Sequence, residues 1–257
     1  MTATGINFQN DITIDSQVKV DVHAPLYFKS IQKGNGITTD VLLESLSPEY
    51  NRDMVFKAGE GAGASGSFFF FSHDRRFIIK TMTSEELHLF LKMLPDYELH
   101  LTENPTSIIS RIYGVYTIRM KKIATVHLML MANTLRFRNA NHIERIFDLK
   151  GSTVARQVKM TAKTKKTATL KDINYQKIQK EDNLFILMDE DIVKLRKIID
   201  NDVKFLRHHS IMDYSLLLSA ERYSAGSIKN DSGVYLDPET PLANIKDINN
   251  GIAKQTE

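Results

Sequence analysis

A run of small residues between two apolar segments constrains the fold of this chain more than any other feature. Residues 59–67 are glycine, alanine and serine apart from one glutamate, and phenylalanines occupy positions 68–71. Glycine adopts backbone angles that other residues avoid, so such a run turns sharply between paired strands. Residues 55–71 are therefore predicted to form a β-hairpin with a glycine-rich turn.

A lysine and a glutamate follow this hairpin at a spacing that suits nucleotide binding. Residues 76–80 predict a further strand that ends in Lys80, and residues 84–94 predict a helix with Glu86 in its first turn. Backbone N–H groups of the turn can approach a phosphate, the lysine can reach the α- and β-phosphates, and the glutamate can hold the lysine. A glycine-rich hairpin alone is more often a flexible turn, and only the ordered set favours a nucleotide site.

A second group of polar residues occupies positions 147–156, with the sequence FDLKGSTVAR. Its arginine, Arg156, offers a rigid fork to phosphate oxygens, and Lys150 offers a point charge. These residue types suit the handling of a phosphate. An ordinary strand and turn with surface charges explains the pattern equally well.

A third candidate is Asp213, which lies within the apolar segment 211–218. An aspartate framed by apolar residues and held in a cleft can accept a proton from a hydroxyl group or orient an attacking alcohol. The alternative is an aspartate that caps a helix or a turn.

The remaining patterns predict a mixture of helices and antiparallel strands. Helical spacing extends over residues 24–46, with a turn at 33–36 and a stop near Pro48, and the 84–94 helix is expected to be capped by Ser84 and ended by Pro95. Further predictions are a short strand within residues 1–21, strands at 112–117, 125–131 and from 147, a helix over 189–208, and no regular element beyond Ser219. This order indicates an α+β fold in two lobes.

Composition excludes several classes of function. Of the 257 residues 42% are hydrophobic and 25% are charged, as in ordinary globular domains, and the absence of cysteine excludes disulfides and thiolate metal sites. No signal peptide and no apolar run of membrane-spanning length is evident, so a cytoplasmic protein is expected. A net charge of +3 does not suggest a nucleic-acid partner.

Basic residues are concentrated between positions 159 and 180. Asp172 is the one acidic residue in this segment. The lysines there are Lys159, Lys163, Lys165, Lys166, Lys171, Lys177 and Lys180. Each basic residue near an anionic membrane contributes roughly 1 kcal/mol of attraction, so the run favours a membrane surface as a partner. On charge alone, a solvated loop is the simpler explanation.

Three of these segments resemble the phosphatidylinositol phosphate kinases, of the phosphatidylinositol-4-phosphate 5-kinase type. GASGSFFFFSHDRRFIIKT, residues 63–81, resembles the nucleotide-binding hairpin of that family. FDLKGST followed by Arg156 resembles its signature strand, and IMDYSLLL resembles its catalytic-loop motif. The resemblance covers about residues 20–220.

The resemblance implies a two-lobed lipid-kinase fold, distantly like protein kinases, that uses ATP and Mg²⁺ to phosphorylate a phosphatidylinositol monophosphate to a bisphosphate. The implied nucleotide-binding residues are Gly63, Ser65, Gly66, Ser67, Lys80, Glu86 and Met131. Lys150 would act near the transferring phosphate, Arg156 would hold a phosphate of the inositol ring, and Asp213 would be the catalytic aspartate. The expected partners are the phosphoinositide, the anionic cytosolic face of a membrane and, as a further candidate, a second copy of the chain.

Members of that family continue past the catalytic loop to an apolar strand with a metal-binding aspartate and to an activation loop. No such strand is recognised after Leu218, and Asp247, in the sequence IKDI, only faintly resembles it. The metal ligands are therefore unknown. The expectation is a domain that lacks the end of its C-terminal lobe and transfers phosphate slowly or not at all.

The expected organisation is an N-terminal segment at 1–20, a nucleotide-binding lobe at 21–133, a partial catalytic lobe at 134–220 and an irregular tail at 221–257. One alternative function stays open, an inactive phosphoinositide-binding or scaffold protein. A protein kinase is disfavoured because Asp213 lacks a His-Arg-Asp setting.

Overall fold

Helices and strands alternate irregularly along the described part of the chain. The computed structural model describes residues 9–15, 18–52, 67–135, 143–161, 168–182, 188–221, 228–229 and 235–236. Within these ranges the helices are α1 (Pro25–Gly34), α2 (Thr39–Ser45), α3 (Pro48–Asn51), α4 (Ser84–Glu103), α5 (Asp172–Asp182) and α6 (Asp189–His208). The strands are β1 (Gln9–Asp15), β2 (Val18–His23), β3 (Phe69–Phe71), β4 (Phe77–Met82), β5 (Ile112–Met120), β6 (Val126–Ala132), β7 (Ile143–Leu149), β8 (Thr169–Leu170), β9 (Leu216–Glu221), β10 (Ile228–Lys229) and β11 (Tyr235–Leu236). The predicted α+β class is confirmed.

The chain divides into two units by its internal contacts. The first unit is Met1–Arg136 together with Leu187–Met212, and the second is Phe137–Ile186 together with Asp213–Glu257. The helix α6 thus belongs to the first unit, although its position in the sequence placed it in the second lobe. The functional division into lobes stays a prediction.

The first unit contains a six-stranded antiparallel sheet in the order β1-β2-β5-β6-β4-β3. The strands predicted at 76–80, 112–117 and 125–131 are confirmed as β4, β5 and β6. Of the hairpin predicted over residues 55–71, the second strand is present as β3, which pairs with the following strand β4, and the Thr81 amide donates to the Phe68 carbonyl. The pairing of this strand with an earlier one stays a prediction. Residues 53–66, which include the glycine-rich turn, lie outside the described residues.

One face of α4 forms the centre of the core of this unit. Its buried apolar residues recur every three or four positions, at Leu87, Phe90, Leu94, Tyr97 and Leu101. They pack with buried side chains of the sheet and of α1, namely Phe77, Val115, Leu130, Phe28 and Ile31. Each such side chain contributes about 1.5–3 kcal/mol through its removal from water. This burial holds the sheet and the two helices together.

The boundaries of α4 differ from the predicted ones at both ends. Thr83, not Ser84, caps the helix: its hydroxyl accepts from the Glu86 amide, and the Glu86 carboxylate accepts from the Thr83 amide. Pro95 does not end the helix, which continues to Glu103. A proline inside a helix costs about 3 kcal/mol, but Tyr97 and Leu101 beyond it are buried, so tertiary packing outweighs the lost hydrogen bond.

The helical region predicted at 24–46 is confirmed as α1 and α2, separated by the expected turn around Asn35. The predicted stop near Pro48 is confirmed, because α2 ends at Ser45, and Pro48 is in addition the first residue of the short helix α3. A proline is compatible with that position, since the first helical N–H has no partner within the helix. At the amino terminus, two strands replace the one that was predicted within residues 1–21.

The second unit is built on a small sheet in the order β8-β7-β9. The strand β7 pairs antiparallel with β9 and parallel with β8. Phe147, Leu170 and Ile178 are buried together. The helix α5 therefore covers this sheet through Ile178. Among the described residues, the core of the second unit is small compared with that of the first.

The last predicted helix is confirmed at its expected bounds, residues 189–208. Beyond Ser219, where no element was predicted, β9 continues to Glu221 and β10 pairs antiparallel with β11. Two-residue strands are too short for alternation to appear in a sequence. Among the helices within the described ranges, none has the length and apolar character needed to cross a bilayer.

Candidate functional site

Lys80 lies on β4 within the sheet of the first unit, between β3 and β6. Its register partners are Phe69 on one side and Met129 on the other. The Lys80 ammonium lies 5.9 Å from the centroid of the Phe69 ring, close enough for a cation–π attraction. The strand pairing therefore fixes the backbone of Lys80 from both sides.

A pocket of about 310 Å³ opens beside Lys80 within the first unit. Lys80 and Glu86 contribute its charged groups, and its apolar lining includes Phe90 and Leu89 together with the methionines Met82, Met93, Met129 and Met212. A mostly apolar pocket with a few polar groups is typical of sites for small molecules and cofactors. The arrangement can accept a flat apolar ring and a phosphate near one lysine.

Glu86 has a structural role in addition to its place in the pocket. Its carboxylate completes the capping box of α4 at 2.8 Å from the Thr83 amide. Among the residues that the structure describes, no ion pair joins Glu86 to Lys80, although both line the pocket. The predicted pairing of the lysine with this acid stays a prediction.

Of the other predicted nucleotide-binding residues, the two that the structure describes, Met131 and Ser67, do not line this pocket. Met131 lies on β6 opposite Ile78, whereas Met129, two residues earlier, contributes to the pocket lining. Ser67 is buried just before the hairpin strand. The three turn residues Gly63, Ser65 and Gly66 lie outside the described residues. The methionines of the pocket were missed at the sequence level, because a buried methionine has the same apolar pattern as any core residue.

Lys150 and Asp213 meet in the second unit. The Lys150 ammonium donates to an Asp213 carboxylate oxygen at 3.2 Å. Asp213 is almost fully exposed, with 93% of its side chain accessible. Lys150 is partly buried, with 32% of its side chain accessible. The predicted catalytic pair is thus brought together with its carboxylate open to a substrate.

The sheet explains why these two residues meet. Leu149, the last residue of β7, pairs with Leu216, the first residue of β9. Because the two strands are antiparallel, the segment that leaves β7 and the segment that enters β9 lie at the same edge of the sheet. Asp213 has a backbone φ of +58°, a left-handed conformation that aspartate tolerates better than most residues.

The turn after Lys150 requires a glycine. Gly151 has a φ of +70°, and a β-carbon placed there would meet no atom within 4 Å. The constraint is therefore the backbone conformation and not space, since residues with side chains rarely adopt this angle. The residues that follow, 152–155, are exposed.

Asp172 holds both ends of this turn. One oxygen of its carboxylate accepts from the Lys150 amide at 3.0 Å and from the Gly151 amide at 2.8 Å, and the other accepts from the Arg156 Nε at 2.7 Å. Burial raises the pKa of this carboxyl, but the hydrogen bonds from Arg156 and from the two amides outweigh it and lower the pKa to about 2. The sequence analysis noticed Asp172 as the acid within the lysine run but assigned it no role in the site.

Arg156 is buried, with 8% of its surface accessible, and its Nε and Nη2 groups donate within the second unit. Besides Asp172, it donates to the backbone carbonyl of Asp148 and, at 3.1 Å, to the Asp148 carboxylate. The sequence suggested an open fork for a ring phosphate. These hydrogen bonds engage Nε and Nη2, so the geometry favours a role within the turn for these two groups, and direct contact of the guanidinium with a headgroup stays a prediction.

Comparison with known proteins connects these residues to one family. A family model described as phosphatidylinositol-4-phosphate 5-kinase matches residues 51–252. The human phosphatidylinositol 4-phosphate 5-kinase type-1 alpha is 35% identical over 199 residues, which are 77% of this chain and 33% of that protein. The mouse type-1 beta protein is 32% identical over 225 residues, covering 88% of this chain and 39% of the relative.

A phosphatidylinositol 4-phosphate 5-kinase of Plasmodium falciparum is 30% identical over 207 residues, covering 76% of this chain and 12% of its own length. The chain thus spans well under half the length of these relatives. The family match includes Lys80, Lys150, Arg156, Asp172 and Asp213, and it continues through the carboxyl-terminal region to residue 252. On this match, the chain belongs to the phosphatidylinositol-4-phosphate 5-kinase family.

Proposed function

We propose that this chain catalyses the transfer of the γ-phosphate of ATP to a hydroxyl group of a phosphatidylinositol monophosphate, giving a bisphosphate. The observation that carries the proposal is the contact between Lys150 and the exposed Asp213 within two segments typical of the family. The names of the relatives favour phosphatidylinositol 4-phosphate as the substrate and its 5-hydroxyl as the acceptor.

The pocket of the first unit supports a nucleotide-binding role for Lys80. Phosphate oxygens of ATP would pair with its ammonium, and the methionines with Phe90 suit the adenine ring. Glu86 lies in the same pocket and would limit the freedom of the lysine once the nucleotide is bound. The glycine-rich turn, with Gly63, Ser65 and Gly66, is proposed to cover the phosphates, and Met131 to lie near adenine.

In the second unit, Asp213 would orient the inositol hydroxyl and accept its proton. The hydroxyl oxygen then forms a bond to the γ-phosphorus, and the bond from that phosphorus to the bridging oxygen breaks to release ADP. Lys150 would stabilise the negative charge of the transferring group, which its ammonium can do without changing its own protonation. Both side chains are accessible, as this role requires.

Magnesium is proposed as the partner of ATP, because a divalent cation would neutralise part of the negative charge of the phosphates. Mg²⁺ takes oxygen ligands, and an acid other than Asp213 is needed, because the Asp213 carboxylate is paired with Lys150 and is proposed to accept the hydroxyl proton. Asp148 and Asp172 are committed to Arg156. Asp247 is a candidate ligand that lies within the family match but outside the described residues.

The lysines of residues 159–180 support a peripheral position at an anionic membrane, where the lipid substrate resides. Such attraction is electrostatic, so added salt should weaken it. We also propose that this membrane surface is the cytosolic one and that the chain can associate into a homodimer.

The test is to incubate the purified chain with radiolabelled ATP, magnesium and vesicles that contain phosphatidylinositol 4-phosphate and phosphatidylserine. The expected result is a labelled bisphosphate that forms slowly, in line with the expected lack of the end of the C-terminal lobe, and that Asp213→Asn abolishes. Vesicles with unphosphorylated phosphatidylinositol serve as the substrate control. Binding of the vesicles without any labelled product would refute the kinase and favour the inactive phosphoinositide-binding alternative.

A further inference from the structure

The first turn of α5 fastens the segment that carries Lys150. Asp172, the first residue of this helix, binds the amides of Lys150 and Gly151 at one end of the turn and the Arg156 side chain at the other. The backbone of Ile173 adds a hydrogen bond to the Arg156 carbonyl at 3.0 Å. One buried carboxylate therefore closes the whole turn from 150 to 156.

A second buried side chain of the same helix holds the chain just beyond this turn. The Asn174 side chain accepts from the Val158 amide at 2.8 Å and donates to the Val158 carbonyl at 2.9 Å. Residues 152–155, by contrast, are exposed. The segment is thus fixed at its ends and open at its tip, an arrangement that places the Lys150 backbone without covering its ammonium.

Two independent constraints meet at Lys150. On its amino-terminal side, Leu149 is paired in the sheet with Leu216, and on its carboxyl-terminal side, Gly151 is bound to Asp172. The ammonium reaches Asp213 at the end of a long side chain, so its position depends on both constraints. Removing the carboxylate releases one of them.

We infer that Asp172 is a positioning residue for the phosphate-transfer reaction, because its carboxylate holds the Lys150 turn in the conformation that places the Lys150 ammonium at Asp213. This inference rests on the proposed function for its kinetic consequence. It does not require Asp172 to touch either substrate, and it gives Arg156 the role of holding Asp172.

The test compares Asp172→Asn with Asp202→Asn in this chain. Asp202 is a matched control in the first unit: it is also buried, and its carboxylate also accepts from a backbone amide, that of Ile108, and from a side-chain nitrogen, that of His100, each at 2.8 Å. In Asp172→Asn, the amide NH₂ must face either the Arg156 donor or the two backbone donors, so one set of hydrogen bonds is lost.

The expected result is a fall in kcat on the order of 10- to 100-fold for Asp172→Asn, with the KM for ATP within about twofold of the wild-type value. Asp202→Asn should lower thermal stability about as much as Asp172→Asn does, but it should leave kcat within about threefold of the wild-type value. The effect of Asp172→Asn should vanish in a Lys150→Met background, because the residue acts through that lysine. An equal effect in both backgrounds, or equal kcat losses for the two asparagine variants, would overturn the inference.

Hydrogen exchange separates this inference from the proposed function. Exchange at the Lys150 and Gly151 amides should accelerate in Asp172→Asn and stay unchanged in Asp202→Asn. If the wild-type chain shows no phosphate transfer, the proposed function fails and the exchange measurement alone decides whether Asp172 holds the turn. Unchanged exchange in Asp172→Asn would overturn the positioning role whatever the activity.

Discussion

The Lys150 ammonium lies 3.2 Å from the Asp213 carboxylate, although the two residues are 63 positions apart in the sequence. The pairing of β7 with β9 brings them together, because the segments that flank these strands share one edge of the sheet. A cation that is partly buried next to an exposed carboxylate can stabilise transferring phosphate while the carboxylate receives a proton. This contact leads to the first prediction.

Asp213→Asn should reduce phosphate transfer by about 10²- to 10⁴-fold, because the amide cannot accept the hydroxyl proton. Its side chain is 93% exposed, so the free energy of unfolding should change by less than about 0.5 kcal/mol. Steady-state kinetics and urea unfolding measure the two effects. The control is Asp200→Asn, an exposed acid on α6, which should leave both unchanged. Retained activity in Asp213→Asn would remove this residue from the mechanism.

Lys80→Met should weaken ATP binding by roughly 10- to 100-fold, which corresponds to about 1.5–3 kcal/mol for a direct contact with phosphate. The fold should persist, since the contact of Lys80 with Phe69 contributes only about 0.5–1 kcal/mol. Isothermal titration with ATP and magnesium measures the affinity. Lys92→Met, an exposed lysine on α4, is the matched control. Equal ATP affinities for the wild type and Lys80→Met would show that the nucleotide binds elsewhere.

Gly151→Ala should lower the free energy of unfolding by about 1–2 kcal/mol, because alanine is strained at a φ of +70° even though space is available. Chemical denaturation measures this change. Gly34→Ala provides the contrast: it also meets no atom within 4 Å, but it lies in α1 without a left-handed φ, so it should be neutral or stabilising by up to about 1 kcal/mol. Equal effects of the two substitutions would contradict the backbone argument.

Arg156→Ala should destabilise the chain by about 3–5 kcal/mol, because it leaves the buried Asp172 carboxylate without its ionic partner. Lys159→Ala, at an exposed position close by, should have little effect on stability. Thermal unfolding distinguishes the two variants. If Arg156→Ala kept its stability and raised only the KM for the lipid, Arg156 would instead contact the headgroup directly.

The pKa of Asp172 predicts a specific dependence of stability on pH. Its folded-state pKa of about 2 is lower than the ordinary 3.8, so its contribution is present above about pH 4 and is lost as the pH falls towards 2. The difference in unfolding free energy between the wild type and Asp172→Asn should therefore shrink between pH 5 and pH 3. A difference that stays constant over this range would show that the carboxyl is not stabilised in its charged form.

Local patterns in the sequence were sufficient for several elements and for the chemistry of the site. The helix α6 has its predicted bounds, because its helical periodicity and its acidic first turn are properties of neighbouring residues. The strands around Lys80 followed from short apolar runs. The residue types at Lys150 and Asp213 indicated phosphate chemistry because their order and spacing resemble those of one family.

Other features depended on residues that are distant in the sequence. Pro95 was expected to end α4, but buried side chains on both sides of it outweigh the local cost of proline. The overlooked cap is a different case, since Thr83 and Glu86 are only three residues apart and form the local Thr-x-x-Glu pattern of a capping box. The first difference arises where a local preference competes with packing, whereas the second follows a pattern of neighbouring residues.

The sequence by itself determined which residues could perform phosphate chemistry, because charge, hydroxyl groups and glycine are properties of the residues themselves. Only the tertiary structure decided what each of them does. Arg156 donates to Asp148 and Asp172, and Lys150 donates to Asp213. Asp172, an acid among lysines in the sequence, binds both ends of the turn from 150 to 156. The physical reason is that a charge acquires its role from its burial and its partners, and the pairing of distant strands and helices sets both.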